Sequence, residues 1–405
     1  MRVLILTQWF QPEPTFKGLA FAKALQARGH EVEVLTGFPN YPGGKLYSGY
    51  RIRPVRREVM EGISVTRGAL YPSHDRSALR RVLNYASFAI STTLLAPTMK
   101  RPDVVYVYCP PMTAAAGAVA LRFLRNVPFV IDVQDLWPDT LASTGMVASP
   151  ALIRAVGAWT QFALRRAAHV VVLSPGFKRR LEQRKIGRPI TVIPNWAPPE
   201  IVEQVAAPPS SSPSSRAEPL FDVLFAGNMG HAQALDVVVE AAKRLKSVAP
   251  DVRFTLIGGG VDVERLRAAS EAAGTDNVVF LPGRHPNDMG PVFADADALL
   301  VHLRDDPLFA ITIPSKTQAY LAVGKPILMG VRGDAAALVE AAGAGVAFEP
   351  EKADALVAAV LRLRDATPAE RAAMGDAGRA YYAEHLSFDR GVDAMERVLA
   401  AAAGR

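Results

Sequence analysis

The sequence predicts an α/β protein made of two doubly wound, Rossmann-like domains with a cleft between them. Its 405 residues are more than one average domain requires. Short apolar runs that suit buried parallel strands alternate with amphipathic helical stretches, and this alternation starts twice, near residues 3 and 221. Residues 197–219, between the two halves, are rich in Pro and Ser and lack aromatic side chains, which is typical of a linker.

The same pattern sets the expected domain bounds. We expect an N-terminal domain over residues 1–196, the linker over 197–219 and a second domain over 220–376. Residues 377–405 predict a C-terminal helix that could pack back on the N-terminal domain. Half of the residues are hydrophobic and 21% are charged, so the chain is globular rather than disordered.

Composition and charge exclude several classes of protein. Cys109, the single cysteine, excludes a disulfide framework or a Cys-based metal site within one chain and fits a cytoplasmic setting. The N-terminus, MRVLILTQWF, lacks the apolar run of a signal peptide, and no stretch of about 18 apolar residues predicts a spanning helix.

The net charge of +7 combines a basic first half, +14 over residues 1–200, with an acidic remainder of −7. This asymmetry suggests that the first half meets an anionic surface, and the alternative is an Arg-rich composition without a partner. The basic residues show no aromatic interleaving, so we expect a membrane surface and no nucleic acid.

The first elements form a βαβ unit. Residues 3–7 predict a strand, 19–28 a helix closed by Gly29, and 32–36 a second strand. The loop between the first strand and the helix lacks the GxGxxG pattern of dinucleotide sites but contains Glu13, Lys17 and Gly18. Lys17 and Gly18 are candidates to approach a donor phosphate, the alternative being an ordinary helix start, and Glu13 is a candidate on the acceptor side.

Residues 36–57 predict a long loop that is turn-rich and aromatic, ends in four arginines and includes Tyr41 as a candidate acceptor contact. Residues 78–99 have a basic start and an apolar body. They predict either a core helix or a helix in a membrane interface, with Arg76, Arg80 and Arg81 at the headgroups. The segment before this helix adds three candidate acceptor-side residues: His74, Asp75 and Arg76.

A second candidate site follows the strand predicted over residues 129–133. Strands are predicted at 103–108 and 129–133 with a helix at 114–124 between them, and the polar loop 134–140 lies where a parallel sheet binds its ligands. Asp135 is a candidate catalytic base, and Trp137 and Asp139 are acceptor-side candidates. For either carboxylate the alternative role is a helix cap. A helix at 152–168 and strands at 169–173 and 191–193 complete this half.

In the second half, strands are predicted at residues 221–225, 253–257, 278–281, 298–303 and 327–329, with a helix at 235–248. Ser315 and Gln318 predict a capping box for a helix that runs to Val323 and stops at Gly324. Lys316 at the start of this helix opposes the helix dipole, and an anion bound there would remove the conflict. The candidate donor-binding residues of this half follow its strands or start this helix: Gly227, Asn228, Met229, Gly230, Gly258, Gly283, Arg284, Asp305, Asp306, Ser315, Lys316 and Thr317.

Several segments together resemble a known enzyme family. They are TGFPNYPGGKLYSGY, SHDRSALRRVLNYASFA, VQDLWPDTLASTGMV, VVLSPGFKRRL, VIPNW, FAGNMGHAQALDVV and HLRDDPLFAITIPSKTQAYLAVGKPILM. They resemble the WbuB-like branch of the retaining family 4 glycosyltransferases of GT-B fold, which includes fucosamine- and colanic-acid-transferase-like enzymes.

The resemblance implies a UDP-linked sugar donor, with an N-acetylated deoxy-amino sugar as one candidate, bound by the C-terminal domain. It implies a lipid-linked saccharide acceptor met by the N-terminal domain at the inner face of the cytoplasmic membrane, in lipopolysaccharide or exopolysaccharide assembly. It also implies retention of configuration with no cofactor and no bound metal. We expect Lys316 to neutralise the leaving diphosphate and Asp135 to be one of two candidate proton acceptors, the other being a leaving phosphate oxygen.

The sequence departs from the broader family at defined positions. The Arg and Lys that hold the diphosphate there are Asn228 and Gln233 here, and the later Glu of the E-x7-E pair is Ala319. The histidine of the VHD triplet is Gln134. Two other functions therefore stay open: a nucleotide-sugar 2-epimerase of similar form, which would convert donor without acceptor, and a non-catalytic basic membrane- or nucleic-acid-binding protein.

Overall fold

The computed structural model describes residues 1–73, 78–143, 149–206, 220–285 and 288–405. They form two compact units, which we call the N-terminal unit (residues 1–194 with 391–405) and the C-terminal unit (residues 195–390). His74, Asp75, Arg76 and residues 207–219 of the predicted linker lie outside the described ranges.

The described part of the N-terminal unit contains an eight-stranded sheet. Its strands are β1 (Arg2–Thr7), β2 (Glu31–Gly37), β3 (Val55–Met60), β4 (Ile63–Gly68), β5 (Val104–Cys109), β6 (Phe129–Val133), β7 (His169–Val172) and β8 (Ile190–Val192). The order is β3-β4-β2-β1-β5-β6-β7-β8, in which β3 runs antiparallel to β4 and the other pairs are parallel. The direction of winding reverses between β1 and β5, and such a switch point opens a crevice beyond the carboxyl ends of the strands.

Helices cover this sheet. They are α1 (Leu19–Ala27), α2 (Ala78–Leu95), α3 (Ala115–Arg125), α4 (Asp139–Ser143), α5 (Pro150–Arg166) and α6 (Pro175–Gln183). Helices α5 and α6 begin where the sequence provides a serine cap followed by proline: the hydroxyl oxygens of Ser149 and Ser174 accept the Leu152 and Phe177 amides.

The β3–β4 hairpin is the main element that the sequence analysis does not predict, because residues 51–57 have the composition of a basic loop. In β3, more and less exposed residues alternate, as expected of a charged strand at the edge of a sheet. Arg67 of β4 is fully buried and donates to the Glu58 carboxylate and to the Gly37 carbonyl, at 2.6 and 2.9 Å. The two arginines of β3 are tolerated in a strand, because Arg57 is exposed to solvent and Arg56 pairs with Glu58.

The C-terminal unit contains a second, fully parallel sheet. Its strands are β9 (Phe221–Asn228), β10 (Val252–Gly259), β11 (Val278–Pro282), β12 (Ala298–His302), β13 (Ile327–Gly330) and β14 (Gly345–Ala347). Within the described residues the order is β11-β10-β9-β12-β13-β14, so the switch point lies between β9 and β12. One apolar cluster packs on the face of the sheet that carries the Val223 side chain of β9, and another packs on the face that carries Leu224.

The helices of this unit are α7 (Pro199–Ala206), α8 (Asp236–Val248), α9 (Val263–Ala273), α10 (Met289–Asp295), α11 (Lys316–Val323), α12 (Asp334–Ala341), α13 (Ala353–Asp365) and α14 (Pro368–Tyr381). The last helix, α15 (Phe388–Ala402), begins in this unit. Helix α7 lies within the segment expected to be linker, and its Ile201 is part of an apolar core. From Gly391 onward, α15 belongs to the N-terminal unit, where Asp393 and Glu396 pair with Arg28 and His30 at 2.7 Å.

Candidate active site

The floor of the site in the C-terminal unit is made of backbone. Strands β9 and β10 end side by side at Gly227 and Gly258, with φ angles of 131° and 149° that favour glycine. A Cβ atom at Gly258 would collide with the Gly227 carbonyl oxygen. The glycines therefore allow two strand ends to approach each other more closely than side chains would permit.

Helix α11 begins over this floor, next to the switch point. The predicted capping box is wrong: Ser315 already has helical dihedral angles, and its hydroxyl makes no capping hydrogen bond. A cap requires an extended residue whose side chain can reach the next turn. The predicted stop at Gly324 is confirmed, with a φ of 73° in the left-handed region.

Lys316 occupies an enclosed position with no counter-charge. Its Nζ lies 3.7 Å from the centroid of the Phe225 ring and 3.3 Å from the place where a Cβ of Gly227 would be. Within the described ranges, no carboxylate or carbonyl accepts a hydrogen bond from this ammonium. Although the residue keeps some exposed surface, desolvation lowers the pKa of Lys316 to about 7.

The start of α11 provides fewer free amides than expected. The Thr317 N–H donates to the Pro314 carbonyl oxygen at 2.9 Å, and the Thr317 side chain is fully buried. Its predicted contact with the donor is therefore not supported. In the described part of the chain, the amides of Ser315 and Lys316 have no acceptor, so they remain available to an anion.

The turn after β9 is closed on itself. The Met229 side chain is buried in a core, its N–H donates to the Gly259 carbonyl, and the Gly230 N–H donates to the side-chain oxygen of Gln233. These amides were expected to hold phosphate, and the structure corrects that expectation because both are already used. Asn228 Nδ2 also donates to Gln233 Oε1, at 3.1 Å, so the two departures from the family pattern are hydrogen-bonded to each other.

The backbone of Gln233 is held as firmly as its side chain. Its carbonyl accepts from His302 Nδ1 at 2.7 Å, and His302 Nε2 accepts the Glu351 N–H at 3.0 Å. These two bonds fix the neutral tautomer of His302, and burial lowers its pKa.

The remaining donor candidates of this unit are spread out. Asp305 pairs with Arg332 at 3.2 Å, and an oxygen of Asp306 accepts the Leu308 N–H at 2.8 Å, so both carboxylates already have partners. Gly283 and Arg284 are exposed beyond the end of β11.

In the N-terminal unit, the loop after β1 is anchored by a buried ion pair. Lys17 and Asp132 are both inaccessible to solvent, with Nζ 2.5 Å from Oδ2. Tyr106 and Gln134 also donate to Asp132, at 2.6 and 2.7 Å. Lys17 was expected to face a donor phosphate, but this geometry makes it part of the floor of the unit.

Gly18 differs from expectation in a similar way. The side-chain oxygen of Gln11 accepts the Leu19 N–H at 2.7 Å, and a Cβ on Gly18 would collide with that side chain. The first turn of α1, which was a candidate for phosphate, is therefore occupied by Gln11.

Asp135 lies in an aromatic cluster at the carboxyl end of β6. No side chain in the described residues hydrogen-bonds its carboxyl group, and desolvation raises the pKa of Asp135 to about 6 although the residue keeps some exposed surface. Burial raises the pKa of Tyr41 and of Tyr85, and the negative charge of Asp135 adds to both shifts. Tyr85 contacts Trp137 edge-on, with ring centroids 6.0 Å apart.

Trp9 extends this cluster by stacking on Tyr41 with centroids 4.4 Å apart. We call these residues the Asp135 cluster: Trp9, Tyr41, Tyr85, Asp135 and Trp137. A carboxylate among aromatic faces suits a saccharide, whose apolar faces pack on rings while its hydroxyls donate hydrogen bonds.

Two other acceptor-side candidates support the fold instead. Glu13 is buried and accepts the backbone amides of Phe10, Asn40 and Tyr41, and desolvation raises its pKa to about 7. The Asp139 carboxylate lies 2.9 Å from both Arg180 and Arg184. Their predicted contact with the acceptor is therefore not supported.

Sequence reasoning did not single out Phe225, Tyr85, Trp9 or Asp132, which form the walls and floor of these sites. Phe225 and Asp132 sit inside apolar runs, where a core role is the ordinary interpretation, and Tyr85 sits in a helix. Trp9 had a usable signal, because an aromatic residue directly after a first strand lies at the ligand-binding edge.

No helix in the described ranges combines the length and hydropathy that crossing a bilayer requires. The same ranges contain no group of three His, Cys, Asp or Glu side chains that could hold a metal ion.

Comparison with known proteins assigns the two halves. A family model described as "Glycosyl transferase 4-like domain" matches residues 19–196, and one described as "Glycosyl transferases group 1" matches residues 221–365. The chain belongs to the GT-B glycosyltransferases. This GT-B enzyme therefore has the two Rossmann-like domains that its sequence predicted, and the alternative of a non-catalytic binding protein is set aside.

Relatives of this glycosyltransferase include an Escherichia coli (strain K12) protein, WcaI, named for a glycosyl transferase of colanic acid biosynthesis. It is 27% identical over 377 residues, which cover 89% of this chain and 91% of the relative. A 2-deoxystreptamine N-acetyl-D-glucosaminyltransferase of Streptomyces fradiae is 29% identical, with 84% of each chain covered.

Solved structures share the fold. Anabaena HepE in complex with UDP has a TM-score of 0.70 at 17% identity and covers 99% of this chain and 100% of its own. An E. coli trehalose-6-phosphate structure bound with UDP-2-fluoro glucose has a TM-score of 0.72 at 15% identity, covering 98% and 99%.

Proposed function

We propose that this glycosyltransferase moves a sugar, with retention of configuration, from a UDP-linked donor to a lipid-linked saccharide during assembly of a surface polysaccharide. The C-terminal unit would bind the donor and the N-terminal unit the acceptor. Within the family, the motifs quoted above favour the WbuB-like branch, and an N-acetylated deoxy-amino sugar is the candidate donor sugar.

The observation that carries this proposal is the ammonium of Lys316. Enclosing a cation without a counter-charge costs free energy, so such a group is retained where a ligand supplies the charge. The glycine floor and the free amides of Ser315 and Lys316 lie beside it, and all three features favour an anionic diphosphate. The UDP bound to HepE and the UDP-sugar analogue in the E. coli structure support the nucleotide assignment.

The chemistry that follows is a front-face displacement. The acceptor oxygen bonds to the anomeric carbon while the bond from that carbon to the diphosphate oxygen breaks, and the electron pair leaves with the diphosphate. Lys316 would neutralise the developing charge on that leaving group. The acceptor proton passes late to a leaving phosphate oxygen or to Asp135. Retention is supported by a structural neighbour, trehalose-6-phosphate synthase, analysed for glycosyl transfer with retention, at a TM-score of 0.71.

The acceptor assignment is supported by the first half of the chain. The Asp135 cluster offers aromatic faces and an ionisable carboxyl, and the charge of +14 over residues 1–200 suits an anionic membrane surface. Both features support the proposal that the enzyme acts as a peripheral protein on the cytoplasmic face of the membrane. The relative named for colanic acid biosynthesis supports a polysaccharide product.

A titration with UDP, GDP and dTDP, each without sugar, tests the donor assignment. We expect the melting temperature to rise with UDP, and we expect Lys316→Ala to weaken UDP binding at least tenfold because the diphosphate loses its enclosed cation. The matched control is Lys243→Ala, an exposed lysine of α8. A response to GDP or dTDP alone would overturn the UDP assignment, and UDP binding that is equal in Lys316→Ala and wild type would overturn the role of Lys316.

A further inference from the structure

A groove along α2 in the N-terminal unit is lined by residues that the proposal above does not use. It encloses about 440 Å³ between α2 and the β3–β4 hairpin. Among the residues that the structure describes, no charged side chain lines it. The apolar residues that carry the argument are Pro54, Val55, Leu70, Ile90, Leu94 and Leu95.

Helix α2 has a buried face and an exposed apolar face. Asn84, Phe88 and Thr92 are buried against the unit, whereas a stripe on the opposite side is exposed to solvent. Its residues, with their exposed fractions, are Leu79 (69%), Leu83 (45%), Ile90 (63%) and Leu94 (68%). They follow one another at helical spacing along about 22 Å of the helix. The sequence left open whether this helix belongs to the core or to a membrane interface. In the structure it has one buried face and one exposed apolar stripe.

Arginines without an acidic partner are close in sequence to the groove lining. Arg51 and Arg53 precede Pro54, and Arg57 lies two residues beyond Val55. All three are exposed, and no acidic side chain within the described ranges pairs with them. The surface therefore suits an amphiphile with a hydrocarbon chain and an anionic head.

Hydrogen bonds link one residue of the groove lining to the loop that carries Tyr41. The hydroxyl of Ser87 accepts the Tyr71 N–H at 2.8 Å, and one turn earlier in α2 Asn84 donates to Asn40, the neighbour of Tyr41. The groove shares Val55 and Leu95 with a second groove of about 850 Å³, whose charged lining residues are Glu33, Arg57, Glu58 and Lys100. A chain lying in the first groove would run along α2 beside the hairpin.

We propose that this groove binds the hydrocarbon chain of a phosphate-bearing lipid, which is the lipid part of the acceptor. This inference rests on the proposed function, because it places the chain of the same acceptor whose saccharide meets the Asp135 cluster. A second copy of the protein fits less well: a two-fold contact through this face would bring the arginines of both copies together.

Photolabelling tests the groove directly. The probe is farnesyl phosphate with a diazirine at the chain end, irradiated with the protein in saturating UDP so that the donor site is filled. We expect adducts within residues 51–55 and 87–95. Ile90→Gln with Leu94→Gln should lower the adduct yield at least tenfold, because both side chains line the groove and are exposed enough to be replaced without unfolding.

Matched variants separate binding from general hydrophobicity. Ile90→Leu with Leu94→Ile should keep the yield, and Leu79→Gln, equally exposed on the same stripe but outside the groove lining, should change it less than twofold. Arg51→Gln with Arg53→Gln should reduce the preference for farnesyl phosphate over farnesol to less than twofold.

Three results would overturn the inference: adducts outside these segments, a yield that the glutamine pair leaves unchanged, or a wild-type dimer that dissociates in this pair while labelling persists. The proposed function has a separate readout. If UDP does not raise the melting temperature of the wild-type protein, the donor assignment is contradicted. If UDP binds normally but the probe does not label the groove, only the groove proposal is contradicted.

Discussion

Two enclosed lysines, one in each unit, have opposite surroundings. Lys17 lies near the switch point of the N-terminal unit, with its ammonium paired to Asp132 in a network completed by Tyr106 and Gln134. Lys316 lies at the switch point of the C-terminal unit, against the Phe225 ring, and no acidic partner accompanies it in the described residues. Both sequence positions predicted phosphate binding, and only one has a charge available for it.

The difference shows how an enclosed cation can be assigned a role. A buried lysine with its own carboxylate mainly holds the fold, since its charge is already neutralised. A buried lysine without one is a poor structural element, and its cost is offset when an anionic ligand arrives. The comparison therefore predicts that losing Lys17 harms stability and that losing Lys316 harms function.

The largest expected effect is on stability at Lys17. Lys17→Met leaves the Asp132 carboxylate buried without its ion pair and should lower the free energy of unfolding by about 3–5 kcal/mol. Urea denaturation measures this loss. Adding Asp132→Leu should recover most of it, because no charge then remains buried.

The matched variant is Lys316→Met. We expect its free energy of unfolding at pH 7 to be at least that of the wild type, while kcat/KM falls about 10²–10³-fold because a charge on the leaving group goes unmet. Equal destabilisation by Lys17→Met and Lys316→Met would break the comparison.

The next effect is on pH dependence. The pKa of Lys316 is lowered to about 7 and that of Asp135 is raised to about 6, so a protonated Lys316 and an ionised Asp135 coexist only in a narrow window. We expect kcat/KM to fall about tenfold per pH unit below 6 and above 7.

Two substitutions assign the limbs of this profile. Lys316→Arg should remove the alkaline limb, since arginine stays charged. Asp135→Asn should remove the acid limb. If the acid limb persists in this variant, the proton acceptor is a phosphate oxygen of the donor and not Asp135. Stability gives an independent readout: between pH 7 and the ordinary lysine pKa of 10.5, the unfolded state binds more protons at Lys316, so stability from this group should rise with pH.

The smallest expected effect concerns the neutral pair that replaces the family's cations. Gln233→Ala removes the acceptor of both Asn228 Nδ2 and the Gly230 amide and should lower the free energy of unfolding by about 0.5–1.5 kcal/mol. UDP affinity should fall only a few-fold, because Lys316 remains. Gln183→Ala, on an exposed position of α6, is the control. A loss of UDP affinity as large as that of Lys316→Ala would show that the turn itself carries the phosphate.

Most strands could be predicted because their apolar runs are short and bounded by glycine, proline or polar turns. The stop of α11 at Gly324 was predictable for a similar reason, since only a left-handed residue ends that helix and starts the chain toward β13. The β3–β4 hairpin was not predictable, because its charged residues gain their place from partners distant in sequence, such as Arg67 from the Gly37 carbonyl.

The candidate site residues also divide into those that local sequence predicts and those that depend on partners distant in sequence. Lys316 and Asp135 stand where strand ends and a helix start place them, which the order of elements indicates. Sequence could not show that Lys17 would meet Asp132, 115 residues away, or that Met229 would turn into the core. Those outcomes depend on side-chain packing between elements, which a linear pattern does not record.

The glycine floor beneath the proposed donor site limits how the enzyme can be redesigned. Gly227, Gly258 and Gly260 all have φ angles above 130°, and a Cβ at either of the last two would collide with backbone. A mutant library aimed at a new sugar nucleotide can therefore leave these three positions fixed and vary the side chains around them. The range of donor sugars should be easier to change than the position proposed for the diphosphate.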